Sequence, residues 1–166
     1  MTARLVTIEQ CNDEDIIVYF DADVLIHAIK EAGSQQLDRL LRVKPVLRRC
    51  STTTMYEVAF ARKARKEFKS DLSRLNKNQD WIRKHFLEHD RLDGDVAAEL
   101  ERSLTMYAAA LRGKADLGDA FLASWCQARS SKRNQCAIAT INGRDYRALP
   151  VALVSDFLPS TFSLDD

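Results

Sequence analysis

The chain alternates short, β-branched apolar runs with longer segments whose apolar residues recur at helical spacing. Residues 16–20 (Ile-Ile-Val-Tyr-Phe) are continuously apolar and β-rich, as expected of a strand covered on both faces. Asp21 follows at once, and Val24, Leu25, Ala28 and Ile29 then repeat as a helix running to Gly33. Further helices are expected over Gln35–Arg42, from the capping residues Ser51–Thr54 to about Phe68, and from about Leu72 to Leu87 with Trp81, Ile82 and Phe86 inside. Val96, Leu100, Leu104, Tyr107, Ala108 and Leu111 mark a long helix stopping near Gly113, and Leu117–Ala128 another. Pro45 punctuates before a weaker strand candidate, Val46–Cys50; Cys136–Ile141 and Val151–Val154 complete the strands. Strands separated by helices imply a single three-layer α/β/α domain over residues 1–166, with a mostly parallel central sheet. Residues 1–15 precede the first expected strand as an extension to which the pattern assigns no role.

Composition narrows the class. The 166 residues suit one domain, and 46% hydrophobic content supports an ordinary core. Cys11, Cys50, Cys126 and Cys136 form no Cys-x-x-Cys pair and have no histidine cluster beside them. Reduced thiols in a cytoplasmic protein are therefore expected, rather than a zinc or disulfide framework. No apolar run approaches the roughly 20 residues that span a bilayer, and Glu9, Asp13, Glu14 and Asp15 stand where a signal peptide needs an apolar stretch. His27, His85 and His89 are scattered and need not be ligands, and Trp81 and Trp125 share helical spacing with core positions.

Net charge is +1, but its distribution is uneven: Arg39 to Lys84 holds fourteen Lys/Arg against Glu57, Glu67, Asp71 and Asp80, a balance of +10. Such a segment beside an acidic remainder suits phosphate binding next to a carboxylate site, or else a solvated helical face. Arg62, Lys63, Arg65, Lys66 and Lys69 are its densest part and the candidate phosphate contacts.

The candidate chemistry lies at the ends of elements, because ligands of open parallel sheets sit outside the carboxyl ends of the strands. Asp21 follows the first expected strand; Asn142 and Asp145 follow the Cys136–Ile141 strand; Glu57 lies in the opening turns of a helix after a candidate strand. Asp116 and Asp119, three apart, begin another helix on one face. Carboxylates gathered at one edge repel unless a cation neutralises them, and oxygen ligands without His or Cys select Mg²⁺ or Mn²⁺. Such ions activate water and stabilise charge on a scissile phosphate, so the set suits phosphodiester hydrolysis without a nucleophilic side chain. Taken singly, each acid has a plainer explanation. Thr54-x-x-Glu57 reads as a capping box, Asp116 and Asp119 as helix-dipole partners, Asp21 as a cap and Asp145 as a surface loop acid.

These residues resemble the PIN domain, in particular the VapC-type toxins of toxin–antitoxin pairs, from about Ile16 to Val154. Val18-Tyr19-Phe20-Asp21-Ala22-Asp23-Val24-Leu25-Ile26 is similar to the family's opening strand and metal-binding Asp. Ser51 to Glu57 resembles the segment delivering its glutamate, and Asp119-Ala120-Phe121-Leu122-Ala123 the helix start holding its third acid. Thr140-Ile141-Asn142-Gly143-Arg144-Asp145-Tyr146 is similar to its closing motif. Asp23 departs from the Asn or Ser common there, and Asn142 from the Asp of some members, which leaves Asp145 to supply the last carboxylate. The resemblance implies an Mg²⁺- or Mn²⁺-dependent endoribonuclease with Asp21, Glu57, Asp119, Asp145 and a reserve Asp116 at the metal. It also implies a homodimer and an antitoxin partner that often inserts a basic side chain into the acidic pocket.

Three rivals compete. A haloacid dehalogenase-type phosphatase would use Asp21-Ala22-Asp23, yet Leu25 stands where Thr or Val belongs, and Thr140 follows the Gly118-Asp119 mimic instead of preceding it. A response-regulator receiver needs an Asp ending a middle strand, and none ends Val46–Cys50. A catalytically degenerate PIN-like RNA-binding module is opposed by four filled acid positions.

Overall fold

A computed structural model describes residues 3–30, 34–60, 72–86, 89–111, 117–130 and 135–165. Its strands are β1 (Arg4–Val6), β2 (Ile17–Phe20), β3 (Arg48–Ser51), β4 (His89–Asp90), β5 (Cys136–Ala139) and β6 (Ala152–Val154). Its α-helices are α1 (Ile8–Asp13), α2 (Ala22–Lys30), α3 (Gln35–Arg42), α4 (Thr52–Phe60), α5 (Leu72–His85), α6 (Gly94–Leu111) and α7 (Leu117–Arg129). Short 3-10 turns cover Pro45–Leu47, Gly143–Tyr146 and Ser155–Phe157.

Every pairing between the described strands is parallel, in the order β1-β6-β5-β2-β3-β4. Parallel strands buried on both faces need apolar residues at both parities. Val18 and Phe20 of β2, Ala137 and Ala139 of β5, and Ala152 and Val154 of β6 enter one core, with residues of α1 to α5. Tyr19, Cys136, Ile138 and Leu153 enter the other, with α6 and α7. The result is the expected three-layer α/β/α arrangement.

The chain leaves β2 toward β3 and β4, then returns by α6 and α7 to β5 on the other side of β2. Strand order thus reverses between β2 and β5, and the carboxyl ends of these two strands are where an open parallel sheet places its ligands. Phe20 and Ala139 are register partners there, so the residues that follow them meet at one edge. Because α7 leads into β5, its first turn lies at this same carboxyl edge.

Several boundaries differ from the sequence expectation. Residues 4–13 are part of the sheet and its cover. β1 pairs β6 from Arg4↔Ala152 to Val6↔Val154, and α1 opens on a capping box in which Thr7 and Gln10 exchange side-chain and backbone bonds. The strand expected at Val46–Cys50 begins two residues later, because Pro45 starts a 3-10 turn that takes Val46 and Leu47. Helix α4 starts at Thr52, capped by Ser51, whose Oγ accepts from the Thr54 N–H at 3.1 Å. Thr54 is inside the helix, so the Thr54–Glu57 capping box does not form. The expected continuation toward Phe68 lies outside the described residues.

The basic segment is partly consumed by the fold. Arg48 is buried, and its guanidinium donates to the carbonyls of Val43 (2.8 Å), Leu41 (3.0 Å) and His85 (3.1 Å), tying the end of α3 and of α5 to β3. Lys44 donates to Asn12 O, and Arg42 pairs with Asp156 at 3.7 Å. No described helix is long and apolar enough to cross a membrane.

Candidate active site

Asp21 leaves β2 with its N–H still donating to Ala139 O of β5 at 2.9 Å, so it is fixed at the seam of the two strands. Its Oδ1 accepts from the Ala22 N–H at 2.7 Å, and its Oδ2 from the Tyr146 hydroxyl at 2.8 Å and the Thr140 hydroxyl at 3.1 Å. Asp23, in the first turn of α2, turns toward the same loop. Its Oδ2 lies 3.1 Å from Thr140 Oγ1 and accepts from the Ile141 and Asn142 N–H groups, each at 3.1 Å. Thr140 also accepts from the Asn142 N–H at 3.2 Å.

Proton counting shows why this pair is unusual. One Thr140 hydroxyl carries one proton but faces two carboxylate oxygens, so only one of those contacts is an ordinary donation unless a carboxyl is itself protonated. Burial, and after it the charge of Asp23, raise the Asp21 carboxyl to about 7, a value that the bonds from Tyr146, Ala22 and Thr140 only partly hold down. Burial also raises Asp23, opposed by the Ile141 and Asn142 N–H groups.

The other candidates are placed as follows. Asp119 is buried in the first turn of α7, close enough that its charge, with those of Asp21 and Asp23, adds to the burial that lifts the Tyr146 phenol well above its ordinary value. Tyr146 therefore lies among three aspartates. Asp145 sits in the 3-10 turn after β5 and accepts from Asn142 Nδ2. Glu57 is exposed on α4, and its charge is felt at buried Cys50 of β3. Asp116 and the basic residues Arg62, Lys63, Arg65, Lys66 and Lys69 lie outside the described residues. Among the described residues, no three Asp, Glu, His or Cys side chains are gathered closely enough to hold a metal ion as they stand.

The residues nevertheless suit a hard cation. The donors are all oxygen, and Asp23 Oδ1 is buried without a hydrogen-bond partner, so its charge calls for a proton or a cation. The sequence marked Asp23 only as a departure from the PIN pattern and as part of the rival phosphatase motif, and gave Tyr146 no role. The signal for Tyr146 was its place directly after Asp145 in the closing motif.

Gly143 lets the closing turn pack. A Cβ there would come within 2.6 Å of Leu158 Cδ2 and 2.8 Å of Phe162 Cε2, whereas one at Gly94 would meet nothing within 4 Å. Gly143→Ala is expected to lower stability by about 1–3 kcal/mol through overpacking, and to displace the turn between Asn142 and Asp145. Gly94→Ala should be neutral or slightly stabilising. Urea unfolding of both variants checks this; equal effects would remove the close approach as the cause.

No protein-family model and no curated protein matches the sequence. Solved structures do match in three dimensions. The crystal structure of FitAcB from Neisseria gonorrhoeae aligns over 85% of this chain and 99% of its own, with TM-score 0.61 and 16% identity. The fold is PIN-like. At that identity the match speaks for architecture alone, and the PIN-like sheet order is what sets Asp21 beside the loop after β5.

Proposed function

We propose that this PIN-like chain is an Mg²⁺- or Mn²⁺-dependent endoribonuclease that hydrolyses RNA phosphodiesters as the toxin of a toxin–antitoxin pair. The observation that carries the reading is the meeting of Asp21 and Asp23 on Thr140, with Tyr146 bonded to Asp21 and Asp119 within electrostatic reach, at the strand-order reversal. In this reading Asp21, Glu57, Asp119 and Asp145 hold the metal, Asp116 is in reserve, and Thr140 and Asn142 brace them. A bound divalent ion would neutralise these carboxylates and supply positive charge for the phosphate in the transition state.

The chain's own residues set the geometry. Tyr146 and Thr140 fix the rotamer of Asp21 by bonding one oxygen, and the Ile141 and Asn142 N–H groups do the same for Asp23. Carboxylates held by such donors lose little freedom when a cation arrives. Homodimerisation, a cytoplasmic setting and an antitoxin that reaches the acidic edge with a basic side chain belong to the same proposal.

The test is cleavage of single-stranded RNA by the purified protein with Mg²⁺ or Mn²⁺, abolished by chelation. Cleavage of small phosphate monoesters with phosphorylation of Asp21 would favour the phosphatase instead, and RNA binding without cleavage the degenerate module. For RNA grip, Arg62, Lys63, Arg65, Lys66 and Lys69 are the proposed phosphate contacts. Neutralising one true contact should flatten the log–log salt dependence of binding by about 0.7. Charge reversal that leaves affinity and slope unchanged would make this patch a solvated face.

A further inference from the structure

At the amino edge of the sheet, opposite the carboxylates, a cavity of about 200 Å³ is lined by Arg4, Cys126, Gln127, Ser130, Gln135 and Cys136, among others. Cys126 lies on α7 and Cys136 opens β5, so two elements adjacent in the fold each present a thiol to one small space. The two thiols lie 3% and 5% exposed in the same hydrophobic cluster and each shifts the other's titration, while the Ser130 hydroxyl on the wall of the same cavity donates to Cys126 O at 2.9 Å. Arg4 is held over the cavity by its bond to Gln135 Oε1 at 2.8 Å and places a positive charge near the sulfurs.

We propose that Cys126 and Cys136 are an oxidisable dithiol, a modification site that reacts with a small hydroperoxide entering this cavity and closes into a disulfide joining α7 to β5. The Cys136 thiolate attacks one peroxide oxygen, the O–O bond breaks, the departing oxygen leaves as water, and Cys136 becomes a sulfenic acid. Cys126 sulfur then attacks the Cys136 sulfur; the S–O bond breaks, the Cys126 proton leaves with that oxygen as water, and the S–S bond forms. Two thiols lose two electrons and two protons, and hydrogen peroxide becomes two waters.

The order of attack follows from the surroundings. Cys126 draws Cys136 below its ordinary value, with Ser130 assisting against burial, while Cys126 itself is raised. The other two cysteines provide a contrast within the same chain: burial pushes Cys11 up to about 11 and Cys50 up to about 12, and both lie wholly enclosed in the opposite core. The disulfide would fasten the helix whose first turn carries Asp119 to the strand that leads to Thr140.

The experiment treats the reduced, folded full chain with stoichiometric hydrogen peroxide, alkylates remaining thiols after unfolding, and reads intact mass and linked peptides. The expected product is lighter by two hydrogens and carries a Cys126–Cys136 link, with Cys11 and Cys50 alkylated, and dithiothreitol reverses it. In Cys126→Ser, Cys136 should accumulate as a sulfenic acid trapped by dimedone. Oxidation of Cys11 or Cys50 at the same rate, links only between separate chains, or four intact thiols in the wild-type protein would each overturn the proposal.

Discussion

Asp21→Asn is expected to abolish metal-dependent RNA cleavage while leaving the metal-free protein at least as stable as wild type above pH 7. The two effects share an origin. Burial and the neighbouring Asp23 raise the Asp21 carboxyl to about 7, against roughly 3.9 in an unfolded chain. An acid whose folded value is raised holds its proton more tightly when folded, so its contribution to stability is greatest below about pH 4 and declines as pH rises toward 7. Above 7 the folded protein carries the full penalty of a buried, repelled charge, an upper bound of about 4 kcal/mol at 1.36 kcal/mol per unit. Asparagine removes that titration. Its oxygen can still accept from Tyr146 and Thr140, but its amide then faces the Ala22 N–H, a loss of about 1 kcal/mol. The balance favours the variant at pH 8 and disappears near pH 4. With Mg²⁺ or Mn²⁺ the wild type should gain stability by mass action, and Asp21→Asn less. Asp145→Asn should also lose cleavage, since Asp145 supplies the last carboxylate of the proposed metal set from the turn after β5. Melts across pH with and without metal decide. A variant that is destabilised at pH 8 and responds to metal like wild type would sink the metal-site assignment.

Which features were legible in the sequence follows from the range of the forces that set them. The apolar run before Asp21 marks a doubly covered strand because both parities of β2 are buried, Val18 and Phe20 on one side and Tyr19 on the other. Helix Gln35–Arg42 matches its expected bounds because a local cap begins it, with Ser34 Oγ accepting from the Leu37 N–H. β1 and β4 were missed because three and two residues carry no periodicity, and each exists only through a distant partner, β6 and β3. At the carboxyl edge, positions were readable because a parallel sheet dictates which ends meet. The partnerships were not: Asp23 with the Ile141 and Asn142 N–H groups spans more than a hundred residues, and no local pattern encodes such a bond. The charge bias of Arg39–Lys84 misled in part, since Arg48 is a buried brace and not a ligand contact.

The largest loss of stability is expected at a residue the sequence did not single out. Asp90, in the edge strand β4, accepts at Oδ2 from the Tyr19 hydroxyl, from Trp125 Nε1 at 2.9 Å and from Arg129 Nε at 2.8 Å, and at Oδ1 from Arg129 Nη2 at 2.9 Å. Tyr19 and Trp125 are buried, and Arg129 also pairs with Asp93 at 2.7 Å. Asp90 thus links the middle of β2, the end of α7 and the sheet edge through one side chain. Burial alone would raise its carboxyl, but the bonds from Arg129, Tyr19 and Trp125 prevail and hold it below the usual range. Asp90→Ala strands two buried donors and a partly buried guanidinium, so the expected loss is about 3–5 kcal/mol. Arg83→Ala is the control: its pairing with Asp80 is exposed on both sides, 65% and 73%, and its removal should cost under about 0.5 kcal/mol. The sign with pH is opposite to that at Asp21. A depressed acid stabilises the fold above its unfolded value near 3.9 and loses that contribution as pH falls through its folded value. The gap between wild type and Asp90→Ala should therefore be full at pH 7 and narrow below about pH 4. Urea unfolding at pH 7 and pH 3 measures both. A gap no larger than that of Arg83→Ala at pH 7, or one that widens in acid, would show that the Asp90 bonds do not hold α7 to the sheet.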